Sequence, residues 1–123
     1  MAKILLAEDD ELMQKIVQKV LTRENYEVDI VTNGKEAFEK LEESNYGYDL
    51  VITDLMMPYA NGFEIISKLK NNPSQKPVSV IIVSNASNED MIMESFKLGA
   101  DDFLKKPIIP AELLIRVKRL LMK

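Results

Sequence analysis

The sequence predicts an α/β protein, a (βα)5 chain in which one five-stranded parallel sheet lies between helices on both faces. Short apolar runs of strand length recur five times, and a segment with apolar residues at helical spacing follows each of them. At 123 residues and 46% hydrophobic content the chain forms one domain, spanning residues 1–123, with a single sizeable core. Low-complexity stretches and internal repeats are absent from it.

Lys3 to Ala7 is a fully apolar run bounded by charge, as a buried strand reads. It stops at Glu8-Asp9-Asp10-Glu11, after which Leu12, Ile16 and Val20 with Met13, Val17 and Leu21 repeat at four-residue spacing and predict an amphipathic helix. Acids in a first turn suit the helix dipole, which is the ordinary use of such a cluster. Glu27 to Val31 alternates like a half-exposed edge strand, and Thr32-Asn33-Gly34 leads into a helix from Lys35 to Glu43 that places Ala37, Phe38 and Leu41 on one face.

Asn45 to Tyr48 is a turn-rich link to a third strand, Asp49 to Asp54. Asn61-Gly62 precedes a helix marked by Phe63, Ile65, Ile66 and Leu69, which Asn71-Asn72-Pro73 ends. Val78 to Val83, the most β-branched run, predicts a central strand. Asn88-Glu89-Asp90 opens a fourth helix that closes at Gly99. Phe103 to Lys105 is a short fifth strand, and Pro110 suits the first turn of a last helix with Leu113, Leu114, Val117, Leu120 and Leu121 as its buried stripe. Such alternation favours the doubly wound, flavodoxin-like strand order 2-1-3-4-5, with a ligand crevice at the C-terminal ends of strands 1 and 3.

Composition narrows the chemistry. Net charge is −4, which disfavours nucleic acid as a direct ligand. No run approaches bilayer length and the N-terminus lacks signal-peptide regions, so the reading is a soluble cytoplasmic protein without membrane contact. Cysteine and histidine are both absent, which removes disulfides, thiolate and imidazole catalysis and Cys- or His-ligated metals. Carboxylates, hydroxyls, amines and a hard cation remain.

Val51-Ile52-Thr53-Asp54 ends a buried strand in one acid, and an ionised carboxylate removed from water needs a partner charge, a metal or donors. A helix cap or Asx turn is its commonplace alternative. Its company argues otherwise. Strand 1 ends at Glu8-Asp9, strand 4 at Ser84 and strand 5 at Lys106, so four of five strands bring polar groups to one edge. Crowded carboxylates repel, and Mg²⁺ with oxygen ligands is the remedy best suited to this set. Either Lys105 or Lys106 points inward, since neighbours on a strand face opposite ways. Ser84 serves this edge or caps the next helix.

These residues resemble a response-regulator receiver domain over the whole chain. Ile4 to Asp10 resembles the family's first strand and acidic pair, and Asp54 with Met57-Pro58 and Asn61-Gly62 its phosphoacceptor strand and loop. Ile82-Val83-Ser84 resembles its hydroxyl-bearing strand, and Gly99-Ala100-Asp101-Asp102-Phe103-Leu104 with Lys106-Pro107 its fifth-strand signature. The resemblance implies that Asp54 takes a phosphoryl group from a phosphohistidine on a partner kinase or histidine phosphotransfer protein. Asp9, Asp54 and the Met56 carbonyl would hold Mg²⁺, with Glu8 acting mainly through water. Lys106 would pair with the phosphoryl oxygens and Ser84 would donate a hydrogen bond to one of them. The Lys106-Pro107 bond is cis in the family.

The resemblance further implies a switch in which Ser84 moves toward the phosphoryl group and Phe103 turns into the space it leaves. A plain core phenylalanine is the alternative. In Met91-Ile92-Met93 at least one residue must face outward; Ile92 is the one expected, beside Phe103 and helix 5, on a surface for a downstream effector protein or domain. A scattered exposed apolar residue is the plain alternative. A phosphorylation-dependent dimer through helix 4, strand 5 and helix 5 belongs to the same expectation. Asn85 stands where the family usually has a small residue, which leaves donor preference and phosphoryl lifetime open. Met56, two residues after Asp54, offers no polar side chain to assist water, so slow self-dephosphorylation is expected.

Other readings fit less well. A dehalogenase-type phosphatase needs a second Asp where Met56 stands. A flavin or nucleotide carrier needs phosphate-cradling donors where Glu8 to Glu11 would repel a phosphate. A receiver-like interaction module that is never phosphorylated has no use for the full set of acids, Ser and Lys. The expected domain is therefore no enzyme toward other molecules, and it is either a stand-alone regulator or one domain of a longer chain.

Overall fold

The computed structural model describes residues 2–57, 59–71, 77–85 and 89–122. Strands β1 (Lys3–Ala7), β2 (Glu27–Val31), β3 (Leu50–Asp54), β4 (Ser79–Ser84) and β5 (Asp102–Lys105) alternate with helices α1 (Glu11–Thr22), α2 (Gly34–Glu43), α3 (Gly62–Lys70), α4 (Glu89–Leu98) and α5 (Pro110–Leu121). All strand pairs are parallel and the order is β2-β1-β3-β4-β5, as the sequence predicts. The order in which strands are added reverses between β1 and β3, which puts the crevice at their C-terminal ends.

Alternation along the central strands divides the core in two. Ile4, Leu6, Leu50, Ile52, Ile81, Val83 and Leu104 face α1 and α5, packing on Val17, Leu21, Leu113 and Val117. Leu5, Ala7, Val51, Val80 and Ile82 face the opposite layer, with Ala37 and Leu41 of α2 and Ile65, Ile66 and Leu69 of α3. Each fully buried Leu or Ile contributes about 1.5–3 kcal/mol, so these helices are well anchored. Helix α4 is the exception. Among its residues Ser95 is the buried one, its hydroxyl donating to the Met91 carbonyl at 3.0 Å, while Met93 and Phe96 are exposed.

Local chemistry starts the helices. Asp10 caps α1 by accepting from the Leu12 and Met13 N–H groups, Asn33 caps α2 through Glu36 N–H, and Asn61 with Glu64 forms a reciprocal capping box on α3. Pro110 opens α5 without a side-chain cap. Five boundaries differ by one residue from the sequence expectation. β3 begins at Leu50, with Asp49 beside it accepting the Lys3 N–H on its carboxylate at 2.8 Å, while α2 begins at Gly34, β4 runs from Ser79 through Ser84, and β5 begins at Asp102. Pro58, Asn72, Pro73 and Asn88, named above as loop and helix signals, lie outside the described residues.

Candidate phosphoacceptor site

The parity that sorts the core also assembles the site. Continuing each strand by its period of two, Leu6 leads to Glu8, Ile52 to Asp54 and Leu104 to Lys106, all on the α1/α5 side of the sheet. The side chains converge accordingly. Lys106 Nζ lies 2.8 Å from Glu8 Oε1 and 2.8 Å from Asp54 Oδ2. Glu8 is 2% exposed and Asp54 8%, so both acids need the ammonium. Lys106 is thus the inward lysine, while Lys105 is exposed, and the Lys106-Pro107 bond is cis.

Backbone groups fix the acids further. The Met56 N–H donates to Asp54 Oδ1 at 3.2 Å and the Asp10 N–H to Glu8 Oε2 at 3.1 Å. The Glu8 N–H donates to the Val31 carbonyl of β2 at 3.0 Å, and the Leu55 N–H to the Val83 carbonyl of β4 at 3.1 Å. Asp9 is exposed at the mouth. One carboxylate oxygen each from Glu8, Asp9 and Asp54 lies within 4.8 Å of the others.

Burial pushes the Glu8 carboxyl up to about 7, against the hydrogen bonds from Lys106 and the Asp10 N–H and with the help of the Asp54 charge. The Lys106 ammonium is held above the usual lysine range: burial opposes its charge, but the hydrogen bonds to Asp54 and Glu8 outweigh that. Three acids against one ammonium leave about two negative charges when all are ionised, in an oxygen-only donor set. That set fits a hard divalent cation such as Mg²⁺.

Ser84 and Phe103 belong to the opposite side of the sheet. Ser84, 1% exposed, ends β4 on the side of Ile82, whose ladder partner on β5 is Phe103. Phe103 is half-buried and packs on the core layer that also receives Met91 and Leu98 of α4. Ile92 is half-buried, so the expectation that it is the outward member of its triplet is corrected: Met93, 64% exposed, points out instead. Met56 is likewise exposed, so its main chain and not its side chain touches Asp54.

Two neighbours of the site were not evident from sequence pattern. Gln14 Nε2 donates to the Glu8 carbonyl at 2.6 Å, and Gly34 closes on Ala60 in the loop after β3, where a Cβ would sit 2.3 Å from the Ala60 Cβ. A polar residue four positions after a helix cap was the available hint for the first. For the second, a glycine at a helix start carried none.

Comparison with known proteins agrees with this geometry. The family model described as the response regulator receiver domain matches residues 4–118. The transcriptional regulatory protein ResD of Bacillus subtilis is 36% identical over 119 residues, covering 97% of this chain and 48% of ResD. A 3',5'-cyclic-nucleotide phosphodiesterase, regA of Dictyostelium discoideum, is 36% identical over 107 residues, covering 86% of this chain and 14% of regA. The chain therefore spans about half of ResD and a small part of regA. Among solved structures, the chemotaxis response regulator CheY4 of Vibrio cholerae superposes with a TM-score of 0.88 at 28% identity, over 98% of this chain and 99% of that one. The BeF3-activated receiver domain of DrrB gives 0.89 at 30% identity, over 100% and 99% of the two chains. Matched by the family model over nearly its whole length and folded like these domains, the chain belongs to the response regulator receiver domain family.

Proposed function

We propose that the domain is a phosphorylation-activated switch of two-component signalling in which Asp54 accepts a phosphoryl group from a phosphohistidine on a sensor kinase or histidine phosphotransfer protein. The observation that carries this is the Asp54 carboxylate at the end of β3, held 2.8 Å from Lys106 and beside Glu8 and Asp9. An Asp54 oxygen attacks phosphorus, the P–N bond breaks, the imidazole leaves with its electron pair, and an acyl phosphate results. Lys106 then supplies a point charge to the phosphoryl oxygens and Ser84 a hydroxyl donor. Mg²⁺ bound by Asp9, Asp54 and the Met56 carbonyl, with Glu8 through water, would neutralise the charge of the incoming group. Backbone donors keep the acids in place, so they need no reorganisation at the moment of transfer.

Self-dephosphorylation is slow on this reading, because the exposed Met56 thioether is a poor partner for an attacking water. The domain acts on its own aspartyl phosphate and on no other molecule, in the cytoplasm; among the described residues no helix is long and apolar enough to cross a membrane. Output runs through Ser84 and Phe103 to α4, the helix with the fewest buried side chains, whose exposed Met93 and Phe96 offer contact to an effector. Incubation with a small acyl-phosphate donor and Mg²⁺ should add the mass of one phosphoryl group. No gain, or an equal gain in Asp54→Asn, overturns the proposal.

A further inference from the structure

We propose that Gln14, which touches neither acceptor nor cation, is a positioning residue that sets the affinity of the acidic site for Mg²⁺; this rests on the reading of Glu8, Asp9 and Asp54 as a cation site. Gln14 lies four residues after the cap Asp10, to whose carbonyl its own N–H donates at 3.0 Å. Its side-chain amide reaches back past the cap to the Glu8 carbonyl at 2.6 Å. Glu8 is thereby held on both sides of its main chain, by Gln14 at the carbonyl and by Val31 at the N–H. The next residue but one, Asp10, is fixed as well, its N–H on Glu8 Oε2 and its carboxylate on the first turn of α1.

Asp9 stands between these two fixed residues, and its exposed carboxylate has a direction only as good as that of its backbone. Groups that hold a ligand without touching the metal change affinity by about tenfold or more. Charge explains why a neutral amide suits the place. Lys106 already occupies two of the acids, and a second cation at position 14 would compete with Mg²⁺ for the third. Glutamine supplies the donor without the charge.

The test is a Mg²⁺ titration of the metal-free protein, followed by the NMR amide shifts of Asp9, Asp10 and Met56. Gln14→Met keeps the length and helix preference and loses the donor; Gln18→Met makes the same change at an exposed position one turn on. The expected result is a Kd about tenfold higher for Gln14→Met, with the wild-type value for Gln18→Met. Gln14→Asn, one methylene short, repeats the test should Gln14→Met not fold, with a severalfold rise expected. A Kd within twofold of wild type in the folded Gln14 variant overturns the proposal. Absence of Mg²⁺-dependent shifts in the wild type would instead overturn the cation-site reading beneath it.

Discussion

Lys106 bridges Glu8 and Asp54, its ammonium 2.8 Å from an oxygen of each, so one charge from β5 ties together the acids of β1 and β3. On the proposed function, phosphoryl transfer and cation binding would use this ammonium in opposite senses. It attracts the phosphoryl group but repels Mg²⁺. In Lys106→Met the two acids lose their counter-charge, and breaking a buried pair costs about 3–5 kcal/mol of stability in metal-free protein. Added Mg²⁺ should restore part of that loss and bind severalfold more tightly than in wild type. Phosphorylation by an acyl-phosphate donor should slow by about tenfold or more, the value of one charge-assisted hydrogen bond. Urea unfolding with and without Mg²⁺, and mass spectrometry over time, read the two effects separately.

Glu8 gives the site a pH dependence. Its folded-state carboxyl titrates at about 7 against its ordinary 4.5, so between those values the folded metal-free protein binds more protons than the unfolded chain. This group's contribution to stability therefore falls as pH rises through that window. Mg²⁺ competes with the same proton, so its affinity should rise with pH and level off above 7, being about tenfold weaker at pH 6 than at pH 8. A carbon-detected titration of the Glu8 carboxyl should show a midpoint near 7 without metal and a lower one with it. In Glu8→Gln the Mg²⁺ affinity should be weaker and nearly flat over the same range.

Gly34 should be among the least replaceable residues outside the site. Alanine ordinarily favours a helix by about 1 kcal/mol over glycine. Here the added Cβ would fall 2.3 Å from the Ala60 Cβ and 2.6 Å from its carbonyl oxygen, and backbone cannot step aside as a flexible side chain can. Steric cost wins, and Gly34→Ala should lower stability by about 1–3 kcal/mol in urea unfolding. The displaced loop carries Met56 and is closed by the Gly62 N–H on the Leu55 carbonyl at 2.8 Å. Mg²⁺ affinity should therefore fall along with stability.

The contrast between Gly34 and Glu8 shows what a sequence makes legible. β1 and β2 have the bounds their patterns predict, because a two-residue period and flanking charge are written locally. The same period, carried one residue past β1 and β5 and to the last residue of β3, brings Glu8, Asp54 and Lys106 to one place. Contacts between elements leave no such trace. Gly34 against Ala60, Gln14 on Glu8, and the buried Asp102 paired with Arg116 and Arg119 of α5 each depend on how separate segments pack. Asp102 opens β5 despite its poor strand preference because those arginines satisfy it. The outward residue of Met91-Ile92-Met93 also depends on packing, since Met91, Ser95 and Leu98 are the positions that α4 turns inward.

Ser84 and Phe103 supply the remaining prediction. Both belong to the side of the sheet that faces α4, and Phe103 is half-buried, so its ring has apolar surface left to bury. On the proposed function, drawing the Ser84 hydroxyl toward a phosphoryl group at Asp54 would open volume beside Phe103, and burial of more of its ring would favour an inward turn. The phosphoryl mimic beryllofluoride should therefore shift the Phe103 ring resonances together with the amides of α4. In Ser84→Ala the mimic should still bind, through Lys106 and Mg²⁺, but the α4 shifts should shrink. In Phe103→Ala phosphorylation should proceed at a wild-type rate while the response of Met93 and Phe96 is lost. A Phe103 ring that keeps one rotamer with and without the mimic would show that it serves the core alone, and that output leaves Asp54 by another path.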